Sequence, residues 1–167
     1  MHSKKVYSDV LPDGSLLLKH KESGETLTKL KLVPANKDHR SFILSTWVKS
    51  YSPTVRRQRT MVLDGVSHII HHSTYLAEEP KCAERLWEKS KVLTDPEDPY
   101  VIHGWVCGEE GKLWHCYVPP LLRSKGMAMA MIGHVCGLNL EYARPWPYRE
   151  VPFTWKYNPY LLGFGQK

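Results

Sequence analysis

In the first third of the chain, apolar positions recur with the two-residue period of a half-buried strand. Val6 to Leu11 and Ser15 to His20 are separated by the turn residues Pro12-Asp13-Gly14. Glu22-Ser23-Gly24-Glu25 divides the second run from Thr26 to Val33, which carries Leu27, Leu30 and Leu32. Three strands in a meander are the economical reading. Pro34 ends the run, and Asp38 fits the N-cap of a helix with Phe42, Ile43, Trp47 and Val48 on one face. A second helix is expected over 66 to 78, and a third from Pro80 to Lys89 with Ala83, Leu86 and Trp87 inward. Lys91 to Thr94 reads as a short strand. Tyr100 to Cys107 and Lys112 to Val118 read as a hairpin joined by Gly108-Glu109-Glu110-Gly111. After Pro119-Pro120 the period becomes helical, through Ala128, Met131, Ile132 and Val135, and Gly137 is a natural stop. Prolines at 145, 147, 152 and 159 interrupt the remainder, where Val151 to Lys156 is the best strand candidate. Interleaved strands and helices predict an α/β chain, a mixed sheet covered by helices.

Composition narrows this picture. A length of 167 residues predicts a single domain, and 42% apolar with 24% charged residues predicts a packed core. The longest uncharged run, Gly126 to Leu140, is shorter than the roughly 20 apolar residues a membrane helix needs. The first residues, MHSKKVYSDV, lack an apolar signal core, so a cytoplasmic protein without a membrane partner is expected. The four cysteines form no CxxC pair, which points to buried thiols in a reducing compartment. A formal charge of +6 suits a phosphate-bearing ligand or an ordinary solvated surface. His68 and His72 would lie one turn apart on the expected second helix, but no carboxylate or cysteine stands beside them at ligand spacing. No metal is expected.

The chemistry lies in Tyr117-Val118-Pro119-Pro120-Leu121-Leu122-Arg123-Ser124-Lys125-Gly126-Met127-Ala128, between an expected strand and an expected helix. A strand that delivers its chain to a helix start leaves backbone N–H groups unpaired, and the helix dipole adds positive charge there. Gly126 permits close approach, while Arg123 and Lys125 add charge, so the turn suits a pyrophosphate. It is neither GxxxxGK[ST] nor GxGxxG.

Val118-x-Pro120-x-x-Arg123-x-x-Gly126-x-Ala128 resembles the acetyl-CoA-binding motif of the GNAT acetyltransferase superfamily. Val101-Ile-His-Gly104-Trp-Val106 is similar to the strand that precedes this motif in the family. The resemblance implies a GNAT-like, mostly antiparallel central sheet flanked by helices. Residues 1–26 would add an N-terminal meander, 27–137 would form the core, and 138–167 an abbreviated C-terminal part. It further implies an N-acetyltransferase that moves an acetyl group from acetyl-CoA to a primary amine, on a protein or a small molecule, by direct attack in a ternary complex. The amides of Arg123, Ser124, Lys125, Gly126, Met127 and Ala128 would bind the pyrophosphate, and free backbone groups near Tyr117 and Val118 would hold the pantetheine arm. Asn158-Pro-Tyr160-Leu-Leu-Gly163-Phe164 is similar to the family's acid-bearing segment. Tyr160 is the first candidate acid, ahead of Tyr157 and Tyr142, and His115, His103 or a water chain is the candidate base. Arg56, Arg57, Arg59, His68, His71 and His72 fall where the family shapes its acceptor site. The resemblance also admits a homodimer. Two alternatives stay open: a non-catalytic module of the same fold that binds a protein, and a basic nucleic-acid-binding domain. The second is disfavoured because its aromatics are dispersed and it carries no nucleic-acid motif.

Overall fold

The computed structural model describes residues 5–51, 59–63, 66–70, 72–143 and 152–163. Strands β1 (Val6–Val10), β2 (Ser15–His20) and β3 (Thr26–Pro34) form the expected antiparallel meander. Next come α1 (Arg40–Tyr51), the hairpin β4 (Arg59–Leu63) and β5 (Val66–Ile70), and α2 (His72–Leu86). Strands β6 (Ser90–Thr94), β7 (Ile102–Glu109) and β8 (Lys112–Tyr117) lead to α3 (Met127–Cys136), then to β9 (Leu140–Tyr142) and β10 (Trp155–Tyr157). Apart from the β4–β5 pair, the strands make one mixed sheet in the order β1-β2-β3-β6-β7-β8-β9-β10. Neighbours from β1 to β8 run antiparallel, whereas β8–β9 and β9–β10 are parallel. The connection from β8 to β9 runs through α3, because parallel neighbours need a crossover.

Two apolar layers cover the two faces of this sheet. On one face Ile43 and Trp47 of α1 and Cys82, Ala83 and Leu86 of α2 pack on Val92, Trp105, Cys107 and Trp114. On the other, Met127, Met131, Ile132 and Cys136 of α3 pack on Leu16, Leu18, Leu30, Leu32, Val106 and Leu113. Helix α3 touches β7 and β8 near the centre and also β1 at the edge, so the sheet curls around it. That curl carries the N-terminal strand to the start of α3.

The first two helices depart in part from their sequence readings, whereas α3 runs from Met127 to Cys136 and stops at Gly137 as expected. Residues 66–70 are a strand paired with β4 rather than the start of the expected helix, which begins at His72, and Asp64-Gly65 is the hairpin signal in the sequence. Helix α2 passes through Pro80 without starting there. Leu76, whose carbonyl loses its intrahelical donor at Pro80, is exposed like Pro80 itself, so water can replace that bond. Asp38 does not cap α1. The His39 carbonyl accepts the first helical bond from Ile43, and Asn36 Oδ1 accepts from the Asp38 amide. Ile43 and Trp47 point inward as expected, but Phe42 is half-buried and Val48 is exposed. The β7–β8 connection is the two residues Glu110-Gly111. Gly108 belongs to β7, where a Cβ would lie 2.5 Å from Cys136 Sγ and 2.7 Å from the Lys112 carbonyl oxygen. The last strand is Trp155–Tyr157, and Val151 lies outside the described residues.

Candidate functional site

The site begins with an extra residue in β8. Tyr117, Cys116 and His115 pair in step with Trp105, Val106 and Cys107, but Gly108 pairs with Leu113, which leaves Trp114 as a bulge. A bulge bends its strand and increases the local twist. The effect falls where β8 leaves β9, since β9 pairs only with Lys112 and Leu113, and the Ala143 amide donates to the Leu113 carbonyl. From Trp114 to Tyr117, no described strand pairs with β8 on that side. Sequence reading missed this bulge, although two consecutive aromatic residues, Trp114 and His115, mark it.

Beyond β8 the chain turns sharply into α3. Val118 is buried, Pro120–Leu122 make one 3₁₀ turn, and Ser124 and Gly126 adopt left-handed backbone at φ 65° and 77°. At serine this conformation costs about 1 kcal/mol or more, which marks a segment held in place by its surroundings. Among the described residues, the amides of Ser124, Lys125, Gly126, Met127 and Ala128 donate to no protein acceptor. The first helical bond is Ala130 N–H to the Gly126 carbonyl at 3.0 Å. Arg123 departs from the expectation, because its amide donates to the Pro120 carbonyl at 3.3 Å. Its Nε donates to the Val118 carbonyl at 2.8 Å, which folds the guanidinium back over the strand end. Lys125 Nζ likewise donates to the Leu121 carbonyl at 3.1 Å. Five free N–H groups, a helix N-terminus and two cations therefore share one short turn, a combination that attracts an anion.

The opposite face of β8 carries the candidate base. The bulge sets Trp114 and His115 toward α1 and α2 together, and the His115 ring lies 5.1 Å from that of Trp105 and 5.7 Å from that of Trp47. Its Nε2 is 3.0 Å from Ser50 Oγ at the end of α1. Stacking of Trp47 on Trp105 at 5.2 Å, and of Trp105 on Tyr117 at 6.3 Å, continues this aromatic wall to the strand end. Trp47 Nε1 donates to the buried Glu79 Oε2 at 2.6 Å, and Trp105 Nε1 donates to Thr46 Oγ1 at 2.8 Å, so both indoles are fixed. Ser50 was not legible as a partner, since 65 residues separate it from His115.

Tyr160 sits in a 3₁₀ turn, Pro159–Leu162, that is fastened to this same face. Trp114 Nε1 donates to the Leu161 carbonyl at 2.9 Å, and Arg85 of α2 donates to the Leu162 carbonyl at 3.0 Å. Asn158 Oδ1 accepts from the Tyr160 amide, and Asn158 Nδ2 donates to Glu141. Tyr142 and Tyr157 face each other across β9 and β10 with ring centroids 5.5 Å apart. His103 lies on β7, and its Nε2 is buried with no hydrogen-bond partner among the described residues. Arg56, Arg57 and His71 lie outside the described residues. Arg59 opens β4, His68 is on β5 and His72 opens α2, so His68 and His72 do not share a helix face.

Burial pushes the thiols of Cys107 and Cys136 up to about 12, and that of Cys116 on β8 higher still, so none supplies a thiolate nucleophile near neutral pH. Among the described residues, no group of three or more His, Cys, Asp and Glu side chains stands close enough to hold a metal ion, and no helix is long and apolar enough to cross a membrane. In comparisons with known proteins, no family model, curated protein or solved structure matches the chain.

Proposed function

We propose that the protein is an acyl-CoA-dependent N-acyltransferase of the GNAT type, with an acetyl group as the donor and a primary amine as the acceptor. The reading rests on one observation above all. A run of five unpaired backbone amides, from Ser124 to Ala128, opens α3 beside a strand edge that parts from β9 at a bulge. The amides and the helix start match a pyrophosphate, and the β8 edge offers main-chain groups to an amide-bearing pantetheine arm. Gly126 is exposed, so an anion can approach its backbone closely.

The coenzyme supplies an activated thioester. On the chain's side, the turn orients its diphosphate, and β8 aligns the arm so that the carbonyl lies near the strand end. His115, held by Ser50, takes a proton from the incoming ammonium group. A C–N bond then forms at the carbonyl carbon while a backbone N–H near Val118 meets the charge developing on oxygen. The C–S bond breaks, and Tyr160 gives its proton to the departing sulfur. A second reading, coenzyme binding without turnover, is favoured by the same His115, whose ring nitrogen is already engaged by Ser50 between two indoles.

Thermal unfolding with and without acetyl-CoA tests the binding. A ligand at a hundredfold excess over its dissociation constant adds about 2.7 kcal/mol to the native state. The melting temperature is expected to rise for the wild type and to stay unchanged for Gly126→Glu. No rise at millimolar acetyl-CoA sinks both readings. Release of free thiol in the presence of a panel of amines separates them.

A further inference from the structure

We propose that Ser8, on the edge strand β1, is the positioning residue of the anion-holding turn and sets its affinity for the diphosphate end of the coenzyme. The inference deepens the acyltransferase reading and rests on it. Ser8 Oγ donates to the Lys125 carbonyl at 2.7 Å across 117 residues of sequence, and among the described residues it is the only side chain from outside the turn that hydrogen-bonds the stretch from Arg123 to Ala128. That carbonyl belongs to the peptide between the two left-handed residues, Ser124 and Gly126. Holding its oxygen fixes the plane of the Lys125–Gly126 peptide, and with it the direction of the Gly126 N–H.

The strand itself is directed at the turn. Leu11 N–H bonds to the Ser15 carbonyl and Lys21 N–H to the Lys5 carbonyl, so the odd-numbered residues of β1 exchange hydrogen bonds with β2. In an antiparallel pair the alternate residues then turn their backbone groups to the other side, here the open edge. Ser8 is one of these. Its nitrogen lies 3.6 Å from where a Cβ on Gly126 would stand, so its outward N–H adjoins the free amides of the turn. Val6 and Val10, on the same side of β1, pack against the α3 layer and anchor the strand in this register. Their alternation with Ser8 was the available sequence signal, a hydroxyl set between two inward valines.

Three measurements on the full chain test the assignment. By calorimetry, Ser8→Ala should weaken coenzyme A and adenosine 3′,5′-diphosphate roughly two- to tenfold, the net effect of one hydrogen bond. Pantetheine should bind as before, and Ser8→Thr should restore the wild-type values. Asp9→Asn, on the same strand but directed away, should change neither. Trypsin gives a readout that needs no ligand, because the clasped carbonyl is the one cleaved after Lys125. Ser8→Ala should speed nicking there several-fold relative to the Lys29 and Lys31 sites, and Ser8→Thr should reverse this. If the wild type binds coenzyme A but Ser8→Ala binds both nucleotides equally well, or weakens pantetheine to the same extent, the assignment is overturned alone. Unchanged nicking overturns it too. If the wild type binds no coenzyme A, the acyltransferase reading falls and the assignment with it, whatever the protease reports.

Discussion

The turn that opens α3 and the aromatic wall around His115 lie on opposite faces of the same strand and are built in opposite ways. The turn is a single run of chain, in which strand end, 3₁₀ turn and helix start follow one another within a dozen residues. Its chemistry comes from backbone, so the side chains need only permit the conformation. The wall is gathered from α1, α2, β7, β8 and the turn before the C-terminus, and its groups are side chains whose directions depend on packing. A contiguous backbone site tolerates substitution at most positions, whereas a gathered site inherits every perturbation of the core.

The largest effect that sharpens this contrast is expected at Trp105, which is fully buried and stacked between Trp47 and Tyr117. Trp105→Ala should lower stability by about 3–5 kcal/mol in urea denaturation. Next comes His115→Asn, which should reduce turnover about a hundredfold or more while coenzyme affinity, read by calorimetry, stays within twofold. Equal losses in both quantities would erase the division of labour between the two faces. Gly126→Ala should cost about 1–2 kcal/mol from left-handed backbone alone, because its Cβ would meet only ordinary contacts at 3.6 and 3.9 Å. Just above pH 9, alkali should have the smallest effect. The folded thiols of Cys107 and Cys136 are raised to about 12 from 9.0, so the stability they confer is complete below the unfolded thiol's value. It is lost as pH climbs toward 12. Urea midpoints should therefore decline above about pH 9, and less steeply in Cys136→Ala.

Legibility followed the same division. The meander, the β7–β8 hairpin and α3 were readable because period, turn residues and glycine stops all agree locally. The residues of the turn were readable for the same reason, but the fold-back of Arg123 onto Val118 was not, since it depends on a side-chain torsion. The helix expected over 66 to 78 was right only from His72 onward, because a five-residue apolar run such as Val66 to Ile70 fits a strand as well as a helix. Pro80 was misread because the rule that prolines start helices gives way where water can serve the freed carbonyl. Ser50 and Ser8 had no local signal strong enough, as each acquires its partner only when distant segments meet.

The hydrogen bond between Ser8 and Lys125 also has a schedule. At roughly 5–20 residues per second, the 117 residues between them take about 6–23 s to synthesise. For much of that interval β1 and β2 are already made, but nothing yet exists to cover the other side of β1. An uncovered strand edge is a template for pairing with other chains. Asp9 is the charge the strand itself carries during the wait, with Lys5 just before it. The segment from Val118 to α3 is thus also the lid over an edge that the nascent chain must keep open until α3 is made.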